Sequence, residues 1–148
     1  MRELMIVMLS VSIATGCATT ARSELDSEVN RLCGIDGGIK TYETVKLPPQ
    51  KFDNYGAVNV PLQKYAKPDD EYYYRWERTY YKRGNPEMWR DHFLLYRAVD
   101  QKLLGEATSY SRRGGDIPSP MHESSYGCPP NADISVLEGQ VFTPNRER

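Results

Sequence analysis

The sequence has 148 residues, of which 19 are basic and 20 acidic, and 39% are hydrophobic. The formal net charge of −1 excludes the strong general attraction to nucleic acid that a basic domain shows. The chain is long enough for one domain with a hydrophobic core, and its eleven tyrosines favour β-strands.

The first residues have the pattern of a secretion signal. A charged start at residues 1–3 precedes an apolar run at residues 4–14 that only two serines interrupt. A helix of this length is roughly 16 Å long, about half of the distance across the hydrocarbon core of a bilayer. An apolar run of this kind, followed by small residues, is typical of a signal peptide that is removed after export.

The run ends in the sequence Ala-Thr-Gly-Cys at residues 14–17, which resembles the lipobox of bacterial lipoproteins cleaved by signal peptidase II. The resemblance implies that residues 1–16 are removed, that Cys17 carries diacylglycerol, and that the new amino group receives a further chain such as palmitate. Ala18 rather than Asp follows, which in the enterobacterial sorting pattern implies the outer membrane. The alternative is an ordinary signal peptide that ends before a cysteine.

Removal of the first 16 of 148 residues leaves 132 residues and an unchanged net charge. We predict that residues 17–22 form a short lipid-anchored tether and that residues 23–148 form a single globular domain. Because an extended residue spans at most about 3.6 Å, the domain should lie close to the membrane surface.

Two cysteines remain once Cys17 is assigned to lipid. In an oxidising compartment, a disulfide between Cys33 and Cys128 is the economical interpretation. The alternative is a metal site that these two cysteines form with His122, although the chain lacks the close cysteine spacing of zinc sites. We therefore predict a disulfide, with no metal and no cofactor.

The elements that follow predict an α+β fold. Ser23 is a candidate N-cap for a helix that ends at Gly34, and its apolar stripe contains Cys33. Strands are predicted at residues 39–47, 71–82, 90–100 and 103–113, and a final short helix around Leu137. We expect the N-terminal helix to pack on an antiparallel sheet of about four strands, over the small side chains of the last strand, and one disulfide to close the domain.

The run at residues 71–82 is the best candidate for recognition. It alternates aromatic and arginine side chains, and one of its two faces is needed for the core. The other face supplies the candidate binding residues, which are Tyr73, Arg75 and Tyr81. Aromatic rings next to arginine are common in surfaces that bind sugars, peptides or proteins.

Two charged residues interrupt apolar strand faces. Glu43 lies between Ile39 and Val45, and Arg97 lies between Leu95 and Val99. If both faces meet one core, the two charges must pair, because a lone buried charge is costly. The alternative is an edge strand or bulge from which both side chains reach water.

Recognisable catalytic motifs are absent from the sequence: there is no G-x-S-x-G, H-E-x-x-H or S-x-x-K. His92 and Asp91 are adjacent in a strand and thus on opposite faces, which argues against a dyad. The stretch from Cys33 to Val45 resembles segments of small bacterial lipoproteins without a known activity, and so implies a class but no mechanism.

We therefore predict a non-catalytic binding or accessory module at the periplasmic face of the outer membrane. Its partner would be an envelope protein or glycan, and not nucleic acid. One alternative is an envelope hydrolase that uses loop carboxylates, with Asp69, Asp70, Asp116 and Glu123 as candidates. Another alternative is a lipoprotein that blocks a receptor, such as those made by prophages.

Overall fold

An antiparallel sheet of five strands organises the computed structural model, which describes residues 21–116 and 122–145. The strand order is β1-β5-β4-β3, and β6 pairs with β5 beside β1. A second, two-stranded sheet pairs β2 with β7 in parallel. The strands are β1 Gly38–Thr41, β2 Val45–Leu47, β3 Tyr72–Lys82, β4 Glu87–Arg97, β5 Lys102–Arg113, β6 Ser125–Cys128 and β7 Phe142–Pro144.

Among the described residues, two α-helices complete the α+β fold: α1 covers residues 21–36 and α2 is Ile134–Val141. The predicted fold class is therefore confirmed. The sheet has five strands rather than about four, because β6 forms inside the segment that the sequence predicted to be a loop. Neither helix within the described ranges is long and apolar enough to cross a membrane.

The predicted disulfide is present. Cys33 of α1 and Cys128 of β6 are bonded, with their Cα atoms 5.8 Å apart. The bond ties the helix near the start of the described chain to a strand near its end. The predicted signal peptide, the lipobox-like residues 14–17 and the predicted lipidation site Cys17 lie outside the described residues.

The two helices pack on opposite faces of the sheet. Val29 of α1 forms a buried cluster with Met88 and Tyr110, whereas Leu137 and Val141 of α2 pack in the main core with Leu95, Leu104 and Ala107. Met88 and Leu95 are seven residues apart on one strand and so point to opposite faces. The prediction that α1 covers the small side chains of β5 was wrong, because α2 lies over Gly105 and Ala107 on that face.

Gly105 allows the close approach of α2. A Cβ at this position would lie 2.9 Å from Leu137 Cδ1 and 2.9 Å from the backbone oxygen of Lys40. The Leu137 methyl group could turn aside, but the Lys40 oxygen belongs to the backbone of the paired strand β1, so a side chain at this position would have to displace backbone.

We expect Gly105→Ala to lower the free energy of unfolding by about 1–3 kcal/mol, since overpacking displaces backbone. Gly139→Ala, in α2 itself, is the matched control, because nothing lies within 4 Å of the Cβ that it adds. That control should be neutral or raise stability by up to about 1 kcal/mol. Denaturant unfolding measures both variants, and equal stability of the two would contradict this packing account.

The helix α1 differs from its predicted bounds. It is already helical at residue 21 and passes through Gly34 to residue 36. Ser23 is therefore inside the helix, where its backbone oxygen accepts a hydrogen bond from Ser27 Oγ. Asp36 accepts hydrogen bonds from Tyr110 and Arg90, and these contacts with the sheet fix the last turn beyond the glycine.

The strand predicted at residues 39–47 is divided in two. The backbone N–H groups of Tyr42 and Glu43 both donate to the oxygen of Leu104, at 2.8 Å and 3.0 Å. Leu104 is skipped in the pairing of β5 with β4, so it forms a bulge at the same point. After the break the chain leaves the main sheet, and β2 pairs with β7 instead.

Candidate functional site

An aromatic surface lies where β3 and β4 extend beyond α2. Trp76, Arg78 and Tyr80 of β3 lie on the same face of the sheet as α2. The helix itself packs on another part of this face, around Leu95. Directly opposite the three β3 residues, on β4, lie Phe93, Asp91 and Trp89. Trp76 is 46% exposed. We refer to Trp76, Arg78, Tyr80, Trp89 and Asp91 as the β3–β4 platform.

Asp91 is the centre of the platform. Its Oδ1 accepts hydrogen bonds from Trp76 Nε1 and Arg78 Nε, both at 2.8 Å. Its Oδ2 accepts from Trp89 Nε1 at 2.8 Å and from Arg78 Nη2 at 2.9 Å. Asp91 is buried, so this bidentate ion pair and the two indole bonds satisfy a carboxylate that would otherwise be costly to place there.

The guanidinium of Arg78 also contacts the rings. Its centre lies 5.1 Å from the ring centroid of Trp76 and 4.9 Å from that of Trp89, within the range of cation–π attraction. Trp76 stacks on Phe93 with centroids 6.4 Å apart, and Tyr80 lies 6.2 Å from Trp89. Each ring is therefore held by at least one neighbour on the sheet.

The electrostatics of Asp91 follow from these contacts. Burial raises the pKa of its carboxyl, but the hydrogen bonds from Arg78, Trp76 and Trp89 outweigh burial and leave the pKa below its ordinary value. The carboxylate stays charged and already accepts four hydrogen bonds. Asp91 therefore positions the rings, and the exposed part of the Trp76 ring remains available for contact.

The three predicted binding residues lie on the other face of β3 and have different surroundings. Tyr73 is buried, stacks on Tyr96 with centroids 5.4 Å apart, and donates its hydroxyl hydrogen bond to Gln101. Arg75 is exposed and donates from Nη2 to the Tyr96 hydroxyl at 2.6 Å. Tyr81 is 52% exposed and lies 6.1 Å from the ring of Tyr110. The three do not form one continuous patch, since Tyr73 is packed into the structure.

The predicted charge pair of Glu43 and Arg97 is formed. Arg97 Nη1 donates to Glu43 Oε1 at 2.6 Å. The Arg97 side chain is 26% exposed and the Glu43 side chain is 28% exposed. Lys102 donates to the other oxygen of Glu43, and Asp100 binds the far side of the Arg97 guanidinium. The hydrogen bonds from Lys102 and Arg97 lower the pKa of Glu43. The pair forms while both side chains still reach water, so it combines features of both sequence interpretations.

A second carboxylate cluster surrounds Glu106 on the face opposite the platform. Tyr42 donates its hydroxyl to Glu106 Oε1 at 2.8 Å, Lys40 Nζ donates at 3.2 Å, and His92 Nε2 lies 2.9 Å from Oε2. His92 thus faces Glu106 while Asp91 faces the indoles. Burial raises the pKa of Glu106, but the bonds from Tyr42, His92 and Lys40 lower it to about 2.

This depressed pKa predicts a dependence of stability on pH. Because Glu106 titrates lower in the folded chain than in the unfolded chain, its contribution is present above pH ~4.5 and is lost as the pH falls toward ~2. Glu106→Gln should cost about 1–2 kcal/mol at pH 7 and nothing near pH 2. Urea unfolding of both proteins between these pH values measures the difference, and parallel curves would contradict the prediction.

The loop carboxylates proposed for a hydrolase are not brought together. Asp69 and Asp70 precede β3 at Tyr72, which pairs with Arg97, whereas Asp116 and Glu123 follow the far end of β5. Asp116 accepts hydrogen bonds from Ser124 N and Oγ, and Glu123 pairs with Arg113. The two sets of acids lie at opposite ends of the sheet. Within the described ranges, no cluster of three His, Cys, Asp or Glu could hold a metal ion.

Sequence reasoning missed Asp91 and Trp89. The sequence did contain one indication of Asp91, because this acid interrupts the apolar strand face formed by Phe93 and Leu95. Glu43 interrupts the apolar face of residues 39–47 in the same way. An acid on a half-buried strand face requires donors, and Trp76, Arg78 and Trp89 have them. The register of β3 against β4 was needed to bring these residues together.

Comparison of the chain with family models, curated proteins and solved structures finds no match. The functional conclusion therefore depends on the geometry of the site and on the sequence patterns described above.

Proposed function

We propose that the protein is a non-catalytic binding module, held by lipid on Cys17 at the periplasmic face of the outer membrane, that recognises an envelope protein or glycan through the β3–β4 platform. The anchor is supported by the signal-like start of the sequence and the lipobox resemblance at residues 14–17. The observation that carries the binding role is an exposed indole, Trp76, fixed in place by a buried and fully paired Asp91.

The construction of the platform favours recognition. Trp and Tyr offer a large contact area with few rotatable bonds, and Asp91 already fixes both indoles before any partner arrives. A surface that is ordered in advance loses little conformational entropy on binding. Trp, Tyr and Arg are also the residues most enriched among those that dominate binding energy.

Binding to the platform is tested by capture from detergent-solubilised envelopes, analysed for both protein and glycan. We expect one species to be retained by the wild type and lost with Trp76→Ala. Tyr55→Ala is the matched control, because Tyr55 is a 96% exposed aromatic residue in a loop away from the platform. Retention that is the same for all three proteins, or absent from all three, would contradict the proposed function.

The anchor is tested separately by the intact mass of the protein extracted from membranes. We expect a chain that begins at Cys17 and carries the mass of the lipid, and a Cys17→Ser variant that lacks this mass and leaves the membrane fraction. An unlipidated wild-type protein would contradict the anchor and leave the platform to be judged by the capture experiment.

A further inference from the structure

We propose that the outer edge of β3, from Trp76 to Lys82, binds an extended peptide segment of a partner protein, which adds to the sheet as a further strand. Its apolar side chains lie on the side of Trp76 and Tyr80, and its acidic side chains lie on the side of Arg75 and Lys82. The inference rests on the proposed function and narrows its partner to a protein segment of defined chemistry.

The backbone of β3 supplies the first argument. The N–H of Tyr74 points away from β4, since it donates to the oxygen of Pro61 at 3.0 Å. Backbone directions alternate along a strand, so the N–H and C=O groups of Trp76, Arg78 and Tyr80 point to the same outer side. Among the residues that the structure describes, no strand or bridge pairs with this side of β3 after Tyr74.

A short segment of the chain already pairs with the first part of this edge and then turns away from it. Leu62 forms a parallel bridge with Tyr74, after which the chain turns into a 3-10 helix at Gln63–Tyr65. The turn opens a groove of about 290 Å³ beside the edge, at the point where an added strand would begin. Its lining residues are Leu62, Gln63, Lys64, Arg75, Trp76 and Glu77.

The charges on this edge favour an acidic partner. Residues 75–83 contain four basic side chains and one acidic side chain, Glu77. Arg78 is neutralised by Asp91, whereas Arg75 and Lys82 form no ion pair with any described residue. Both lie on the face of β3 opposite Trp76, because Lys82 pairs with Met88 after the bulge. Glu77 lies between them on that face and offsets one of the two charges. An added strand therefore meets a net positive charge on one face and aromatic rings on the other.

The same charges disfavour a second copy of this chain as the occupant. Antiparallel pairing of two β3 edges would bring two sets of Arg75 and Lys82 to one short ribbon. Like charges on neighbouring strands are destabilising, and charged residues on an exposed edge are a known protection against self-association.

The test uses the full-length protein in detergent and a capped eight-residue peptide of alternating glutamate and valine. Residue-resolved hydrogen exchange is measured with and without the peptide. We expect exchange to slow by at least about tenfold at the amides of Trp76, Arg78 and Tyr80, which would gain partners in the added strand. The amides of Glu77 and Thr79 are the internal control, because they face β4.

Two control peptides separate the contributions. The same peptide with methyl groups on alternate backbone nitrogens should fail to slow exchange, since it cannot form the strand hydrogen bonds. A peptide of alternating lysine and valine should also fail with the wild type, but should bind the exposed-surface variant Arg75→Glu/Lys82→Glu in place of the acidic peptide. This switch from the acidic to the basic peptide would support recognition of the partner segment by charge.

Three results would overturn the proposal. The first is a perturbation of the Trp76 indole without protection of the three outer amides, which would leave the platform as the binding surface and remove strand addition. The second is no change with the acidic peptide, in which case retention in the capture experiment still decides the proposed function. The third is protection of these amides without peptide that rises with protein concentration, together with a dimer in sedimentation, which would identify a second copy as the occupant.

Discussion

Replacement of both Cys33 and Cys128 by serine is expected to lower the free energy of unfolding by about 3–5 kcal/mol. The bond closes a separation of 95 residues, and the loss of unfolded-state entropy on cross-linking grows with the length of the closed loop. It also fixes α1 and β6 beside each other, against the end of the sheet whose other face carries the platform.

The effect should reach beyond global stability. Besides the disulfide, α1 is held to the sheet by the small buried cluster of Val29 with Met88 and Tyr110 and by hydrogen bonds to Asp26 and Asp36, so loss of the disulfide should loosen this helix. In the double variant, we expect the backbone amides of α1 and β6 to exchange their hydrogens faster than in the wild type, while the amides at the centre of β4 stay protected longer.

Denaturant unfolding measures this loss. Wild-type protein treated with reductant is the control, because reduction breaks the disulfide without any substitution. It only adds one hydrogen to each sulfur. The two preparations should agree within about 1 kcal/mol. A double variant within about 1 kcal/mol of the oxidised wild type would contradict the account.

Asp91→Ala is expected to lower the free energy of unfolding by about 2–4 kcal/mol. The substitution removes four hydrogen bonds at once and leaves the guanidinium of Arg78 without its counter-charge and both indole N–H groups without an acceptor. Partial exposure of Arg78 limits the cost, because its charge can still reach water.

Tryptophan fluorescence and denaturant unfolding read this change together, since both indoles of the chain donate to Asp91. Asp69→Ala removes an exposed loop carboxylate and should change stability by less than about 0.5 kcal/mol. The double variant Asp91→Ala/Arg78→Met should lose less than the sum of the single losses, since the orphaned charge is removed. Additive losses would contradict a coupled cluster at the centre of the platform.

The long strands and the disulfide could be predicted because their signals are local or follow from simple counting. Residues 72–82 and 102–113 alternate clearly, and two cysteines remain once Cys17 is assigned to lipid. The break between β1 and β2 could not be predicted, because a bulge at Leu104, distant in sequence, causes it. The positions of the helices depend on which strand face each one meets, and periodicity within a helix does not contain that information.

The same distinction applies to the candidate site. The aromatic and arginine content of residues 71–82 identified β3 as a surface for recognition, and Arg75 and Tyr81 are indeed exposed. The choice between its two faces depended on the length of α2, which covers Leu95 and Gly105 but leaves Trp76 exposed. Asp91 became recognisable only when the register placed it opposite Arg78.

The most direct test of the central claim is photo-cross-linking in cells that produce the protein, from a benzophenone amino acid placed at Tyr80, on the platform. The control places the same group at Tyr55, which is fully exposed elsewhere on the chain. We expect a discrete cross-linked species from position 80 that disappears when Trp76→Ala is added and does not form from position 55. Equal cross-linking from both positions, or none from position 80, would contradict the claim that this platform is a recognition surface.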